Sequence, residues 1–263
     1  MPRFRDQAVC LRRADWSESS QVVALLCREH GKLRGLAKGS KRASPGSAAR
    51  FCGGIELLDR GEVQASTRRG QGLATLTEWD LQETLPGLRR GWRHQHAALY
   101  AAELTDAALP EEDPHPEVFD ALLAVLRRLD AAVEAGGAEP DRVRALAGYQ
   151  WNLLSAAGYR PELDVDVANG GTLPDAGALG FDPGRGGLTA RESTTAWGVR
   201  EQTVAALRAL GEASSTGDAD AAARYADGLP PDTADRVNRL LGSYWRHLLE
   251  REPASYAGAI ERG

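Results

Sequence analysis

Along the first eighty or so residues, apolar positions come in short runs closed by glycine. Ala8-Val9-Cys10-Leu11 is followed by Val22 to Cys27, Leu33 to Ala37, Ile55 to Leu58 running on to Val63, and Leu73 to Trp79. Gly31, Gly39, Gly53-Gly54, Gly61 and Gly70 with Gly72 separate them. Five short strands at this spacing predict a small closed barrel such as the OB-fold. Between the third and fourth runs, Ser40 to Ala49 contains Pro45 and Gly46 and reads as a polar loop long enough to move.

After Pro86 the period changes from strand-like to helical. Trp92 to Leu109 carries apolar residues at Ala97, Leu99-Tyr100, Leu104 and Ala108-Leu109, and Pro110 to Pro114 ends it. Pro116 opens a second stripe, through Val118-Phe119, Leu122-Leu123, Val125-Leu126 and Leu129, that lasts to Gly136-Gly137. A third helix is expected from about Pro140 to Ala157 with Gly158 as its stop. Residues 164–195 are rich in Gly, Asp, Thr and Pro and read as an irregular excursion. Helical patterning returns at Glu201–Leu210, Asp218–Asp227 and Asp232–Glu252. The expected class is α+β: a five-stranded barrel over residues 1–82, then a helical bundle over 83–263 with 164–195 as a loop-rich insertion.

Charge changes this picture in one place. The net charge is -5, yet residues 1–78 carry fourteen Lys and Arg against eight Asp and Glu, and the remainder eighteen against 29. A basic barrel joined to an acidic body places any polyanion on the barrel. All three lysines, Lys32, Lys38 and Lys41, fall within ten residues, and elsewhere the positive charge is arginine. Flexible ammonium groups in a Gly-punctuated segment suit a phosphate backbone, which asks for charge and reach. Lys32, Arg34, Lys38, Lys41 and Arg42 are the first candidate phosphate contacts, with Arg12, Arg13 and Arg50 extending the face. Strand alternation sends Lys32 and Arg34 to the outer face and Leu33 to the core. Five neutralised phosphates would give a salt slope of about -3.5 on single-stranded DNA. The competing assignment is a solvated loop charged for solubility.

Other chemistry is sparse. Trp16, Phe51 and Trp79, with Phe4 near the start, are the aromatics available for base stacking, and core or hinge packing suits each better. Without a stacking platform, sequence preference should be weak. No GxxxxGK[ST], GxSxG, HExxH or strand-to-helix GxGxxG occurs, so no enzyme class is indicated. His94 and His96, two apart on a helix, face different directions and suit surface or capping roles better than chelation. No apolar run approaches the ~20 residues of a membrane span, and Met1-Pro2-Arg3-Phe4-Arg5-Asp6 is followed by no signal-like apolar region. Cys10, Cys27 and Cys52, an odd number without CxxC spacing, read as reduced thiols of a cytoplasmic protein.

Several ordered blocks give the chain a resemblance to the bacterial RecO family of recombination and DNA repair proteins. They are Ala8 to Ser20 (AVCLRRADWSESS), with its Asp-x-x-Glu turn, and Glu29 to Arg42 (EHGKLRGLAKGSKR), which matches the barrel signature of the family. Leu73 to Glu78 matches the last barrel strand, and Ala98–Leu104, Phe119–Leu123 and Leu153–Asp164 match the helices. The resemblance implies a non-enzymatic, cofactor-free mediator associated with the nucleoid. Such a protein binds single- and double-stranded DNA, anneals strands and assists RecA loading. It also implies that the helical body docks the acidic, apolar C-terminal tail of the single-stranded DNA-binding protein SSB, that the chain pairs with RecR, and that RecF and RecA are engaged indirectly. Arg142, Arg144 and Arg160 are the arginines suited to flank such a tail. The alternative is a generic OB-fold module for RNA or oligonucleotides, without a recombination role.

One departure from the family is plain. After Pro161-Glu162-Leu163-Asp164, many members carry the first Cys-x-x-Cys of a zinc site, and here those places hold Asp166 and Asn169. The stretch after Gly186-Gly187, Leu188 to Glu192, also lacks cysteine. Structural zinc takes four ligands, usually thiolates or imidazoles, so the expectation is a metal-free loop. Asp166 with Asp164 and Asp175 could hold a hard cation, but acidic loops are usually just solvated.

Overall fold

A computed structural model of the chain describes residues 3–42, 44–67, 72–174, 179–190, 196–215, 218 and 220–261. It divides into two compact units, Met1–Glu134 and Ala135–Gly263.

In the first unit, strands β1 (Arg3–Ser17), β2 (Ser20–Cys27), β3 (Gly31–Ala37), β4 (Arg60–Ser66) and β5 (Ala74–Glu83) close into a barrel in the order β1-β2-β3-β5-β4. Every pairing is antiparallel except β3 with β5, the parallel contact that completes an OB-fold barrel. Alternate residues supply the core, among them Cys10, Val23, Leu25, Leu33, Val63, Leu76 and Trp79. Trp79 lies against Gly61, where a β-carbon would stand 2.7 Å from its ring. Only glycine admits the strands this closely.

The segment after β3 differs from the expected loop. Pro45–Phe51 forms a short helix, α1, started by Ser44, whose hydroxyl accepts from the Ser47 amide at 3.4 Å, and by Pro45 in the first turn. Phe51 fixes it by entering the barrel core. Ile55 to Leu58 also departs from expectation. These residues are extended coil and turn before β4, and Ile55 is buried in the core while Leu58 takes a positive φ of 67°.

Helices α2 (Trp92–Ala108) and α3 (Pro116–Glu134) belong to the same compact unit as the barrel. The stripe of α3, from Val118 to Leu129, is buried as its 3.6 period requires. Charged contacts tie it to the barrel: Arg28 grips Asp120 at 3.1 and 2.8 Å, and Arg127 grips Glu83 at 2.7 and 2.6 Å. His94, expected at the surface, is buried in α2, whereas His96 meets Trp92 edge-on.

The second unit is built around α4 (Glu139–Ala156), which buries residues on most of its circumference, including Leu146, Trp151 and Leu154. Around it are α5 (Glu201–Ser214), α6 (Ala221–Asp227), α7 (Pro231–Leu249) and α8 (Tyr256–Ile260). A buried polar relay fixes α4 against α7: Gln150 donates to Asn238 at 2.8 Å, and Asn238 donates to the Val143 carbonyl at 2.7 Å. The expected irregular excursion contains a small sheet, β6 (Leu179–Asp182), β7 (Gly187–Thr189) and β8 (Trp197–Val199), ordered β7-β6-β8. Phe181 anchors it, stacked on Trp197 and edge-on to Tyr244 of α7. Among the described residues, no helix is long and apolar enough to cross a membrane.

Candidate nucleic-acid interface

The lysine-bearing turn after β3 is clamped to the β1–β2 hairpin by backbone and buried side chains. The Gly39 amide donates to Ser20 Oγ at 3.0 Å, and the Lys41 amide donates to the Ser19 carbonyl at 3.1 Å. Ser40 Oγ donates to Gln21 Oε1 at 2.9 Å, and that oxygen also accepts from the Ile55 amide at 3.0 Å. Gln21 Nε2 returns a bond to the Ile55 carbonyl at 3.1 Å, and Ser47 donates to the Gly39 carbonyl. Gly39 needs its φ of +72° for this turn, a conformation that side chains resist. A segment expected to be mobile is therefore pinned at four points.

This arrangement brings some of the candidate cations together and removes others. Lys38 and Arg42 are exposed and take no ion pair among the described residues. Lys41 pairs with Asp15 at 2.8 Å, a contact that holds the Asp15 carboxyl below its usual range. Arg34 projects from β3 and reaches only to 3.7 Å from Glu111. Lys32 does lie on the outer face of β3, but the face is covered there. Its side chain is 11% exposed, and its ammonium donates to the Asp106 carbonyl while lying 3.7 Å from the Asp106 carboxylate. It is a structural cation and leaves the candidate set. Arg13 pairs with Glu56 at 3.1 Å and Arg12 lies 3.7 Å from Asp106, both at the surface. Arg50 is exposed on α1, bonded to the Gly46 carbonyl at 3.1 Å.

The aromatics divide in an unexpected way. Phe51 and Trp79 are core residues and Phe4 stacks on His30. Trp16, by contrast, is 67% exposed. Asp15 opposes Gln21 and Ser17 opposes Ser20, so Trp16 is the extra residue of a β-bulge next to the Lys41–Asp15 pair. Arg12 to Ser17 are all exposed, so this end of β1 has no core face for Trp16 to enter, and the packing expected for it is absent.

The arginines assigned to the helical body do not form one surface. Arg142 is 2% exposed and fully engaged, by Glu139 and by the Ala259 carbonyl, so it cannot present its guanidinium to a partner. Arg144 donates to the Leu229 carbonyl at 2.8 Å. Arg160 is exposed, lies over the Trp151 ring at 5.6 Å, and lines a hollow of about 560 Å³ with Leu163, Arg208 and three carboxylates, Glu162, Asp164 and Glu212.

Asp166 and Asn169, at the places where the family resemblance led zinc-binding cysteines to be expected, form a hydrogen-bonded loop. Asp166, 1% exposed, accepts from the Ala168 amide at 2.8 Å, Asn169 Nδ2 at 3.2 Å and the Ala190 amide at 3.3 Å. These bonds, the Ala168 amide foremost, keep its carboxyl below the usual range. A carboxylate already saturated by protein donors does not suit a metal. Among the described residues, no group of three His, Cys, Asp or Glu is placed to hold an ion, and Asp175 lies outside those residues.

One further polar group was not foreseen. Asp59 is 5% exposed and lines a hollow of about 540 Å³ with Leu57, Leu85, Leu88, Arg89 and Leu99, and burial raises its carboxyl to about 6.

Comparison with known proteins accords with a barrel followed by a helical region. The family described as Recombination protein O N terminal matches residues 1–85, and Recombination protein O C terminal matches residues 92–257. DNA repair protein RecO of Anaeromyxobacter sp. (strain Fw109-5) is 33% identical over 255 residues, 96% of this chain and 94% of that protein. DNA repair protein RecO of Myxococcus xanthus (strain DK1622) is 32% identical over 258 residues, 95% of this chain and 94% of that protein. Its counterpart in Geobacter metallireducens is 37% identical over 174 residues, 66% of each chain. With a closed five-stranded barrel, a basic turn after its third strand and matches across both halves, the chain belongs to the RecO family of DNA repair proteins.

Proposed function

We propose that the protein is a non-enzymatic recombination mediator that binds single- and double-stranded DNA through the hairpin-and-turn end of its barrel. The observation that carries this is the pinned turn: Lys38 and Arg42 stand exposed, with no ion pair among the described residues, on a backbone fixed by Gln21 and Ser20. Fixed, unpaired cations attract phosphates without reading bases, as a protein that handles any sequence requires. On this reading Lys38 and Arg42 make the principal contacts, Arg34, Lys41 and Arg50 add charge, and Arg12 and Arg13 border the face. The function needs no cofactor and no catalytic residue.

Membership of the RecO family supports the finer steps. The helical unit takes the acidic, apolar tail of SSB, and of the three arginines considered Arg160 is the one at the surface. The chain works with RecR, anneals strands on SSB-coated DNA and assists RecA loading, with RecF contributing indirectly. The setting is the cytoplasm, at the nucleoid.

Titration of fluorescent single-stranded DNA with wild type and Lys38→Glu/Arg42→Glu across a salt series tests the DNA face. A loss of affinity of tenfold or more at low salt, with a flatter slope, is expected; equal binding refutes it. Capture by SSB but not by SSB lacking its tail is expected for the helical unit, and indifference to the tail refutes that step.

A further inference from the structure

We infer that Trp16 is a base-stacking residue that gives this DNA face a preference for unpaired nucleotides. The inference rests on the DNA-binding reading above and names the ligand class within it.

A large indole left open to water is a flat apolar face that a ligand can reach. Trp16 is 67% exposed at the end of β1, where Arg12 to Ser17 are exposed on both faces of the strand, and it is the extra residue of the bulge there. On one flank Asp15 is held by Lys41, and the Lys41 amide is bonded to Ser19 in the same hairpin. The bulge therefore sits beside the cation-bearing turn, and Lys38 and Arg42 lie within three residues of Gly39, which is bonded to Ser20. Charge for a phosphate and a flat apolar face for a base thus occupy one end of the barrel. Trp92 is also exposed, but Arg93 lies 5.3 Å over its ring and His96 packs against its edge. Trp16 has no ring or cation partner among the described residues.

The chemistry selects single strands. Every base offers a π-face when unstacked, whereas a duplex keeps those faces inside its stack. Stacking neutralises no phosphate, so it should leave the salt slope alone.

The test uses the full chain, a short oligothymidylate and a duplex of equal length, with Trp16→Ala, Trp16→Phe and Trp92→Ala, each checked by thermal unfolding. The expected result is a loss of about tenfold for oligothymidylate with Trp16→Ala, within the range for one stacked base. Trp16→Phe should retain most of the affinity, and duplex binding, the salt slope and Trp92→Ala should be unchanged. Wild-type binding of oligothymidylate by Trp16→Ala overturns the inference, and so does an equal loss on both ligands. If Trp16→Ala binds normally while Lys38→Glu/Arg42→Glu does not, the stacking role alone fails. If neither substitution matters, the DNA face itself is elsewhere.

Discussion

Lys32 and Asp106 are joined across the surface of the first unit, the ammonium donating to the carbonyl of Asp106 and lying 3.7 Å from its carboxylate. The bond links β3 to the last turn of α2, and the Glu112 amide adds a second link at 2.9 Å to the Lys32 carbonyl. Lys32→Ala should therefore lower stability by about 1–2 kcal/mol, the scale of a charged hydrogen bond with poorly solvated partners. DNA affinity should stay near wild type. Urea unfolding and a binding titration on the same preparation check both, and a large loss of affinity without loss of stability would return Lys32 to the interface.

Lys38→Ala/Arg42→Ala should flatten the salt slope on single-stranded DNA by about 1.4, at ~0.7 for each phosphate contact removed. Arg12→Ala/Arg13→Ala should change it less, since both arginines already face carboxylates. The slope of log affinity against log salt measures this directly, and equal changes in the two variants would spread the site along β1.

Asp59 should make the fold less stable as the pH rises. Burial holds its proton to about pH 6 in the folded chain, against an ordinary value of 3.8. Between about 4 and 6 the folded chain binds more protons than the unfolded one, so stability falls with rising pH across that window. Asp59→Asn should raise stability at neutral pH by about 1–2 kcal/mol and flatten the curve there. Unfolding midpoints from pH 4 to 7.5 decide it, and an Asn variant no more stable at neutral pH would refute it.

Asp166 behaves in the opposite sense. Its carboxyl is held below the ordinary range by donors from both sides of the loop, so its contribution is present above the ordinary value and is lost as the pH falls through the depressed one. Asp166→Ala should lower the unfolding midpoint by several degrees at neutral pH. Chelators should leave the wild-type midpoint unmoved, and a fall on chelation would show that an ion shares the loop.

The barrel and most helix limits were legible because burial imposes a period, as at Val118, Leu122, Val125 and Leu129 of α3. Helix α1 was not, since Pro45 to Ala49 offers no apolar repeat and only Phe51 reaches the core. The cluster of Lys38, Lys41 and Arg42 could be read from composition. The loss of Lys32 could not, because Asp106 lies far along the chain and meets it only after folding. The burial of Arg142 was hidden for the same reason: its carbonyl acceptor, Ala259, arrives from the far end of the sequence. Exposure of Trp16 follows from where β1 leaves the core: Arg12 to Ser17 are exposed on both faces, and strand alternation alone does not tell where burial ends.

The Gln21 network, finally, bears on speed. Its side chain joins β2, the lysine-bearing turn and the approach to β4 through buried bonds to Ser40 and Ile55. A turn set in advance loses little backbone freedom when it meets a ligand, so the encounter need not wait for a loop to find its shape. On the reading proposed above, capture is then governed by diffusion and charge, and the lifetime of the complex by how readily a few side chains let go. A protein that hands a strand on to others benefits from that division, because its grip can be short without being slow to form.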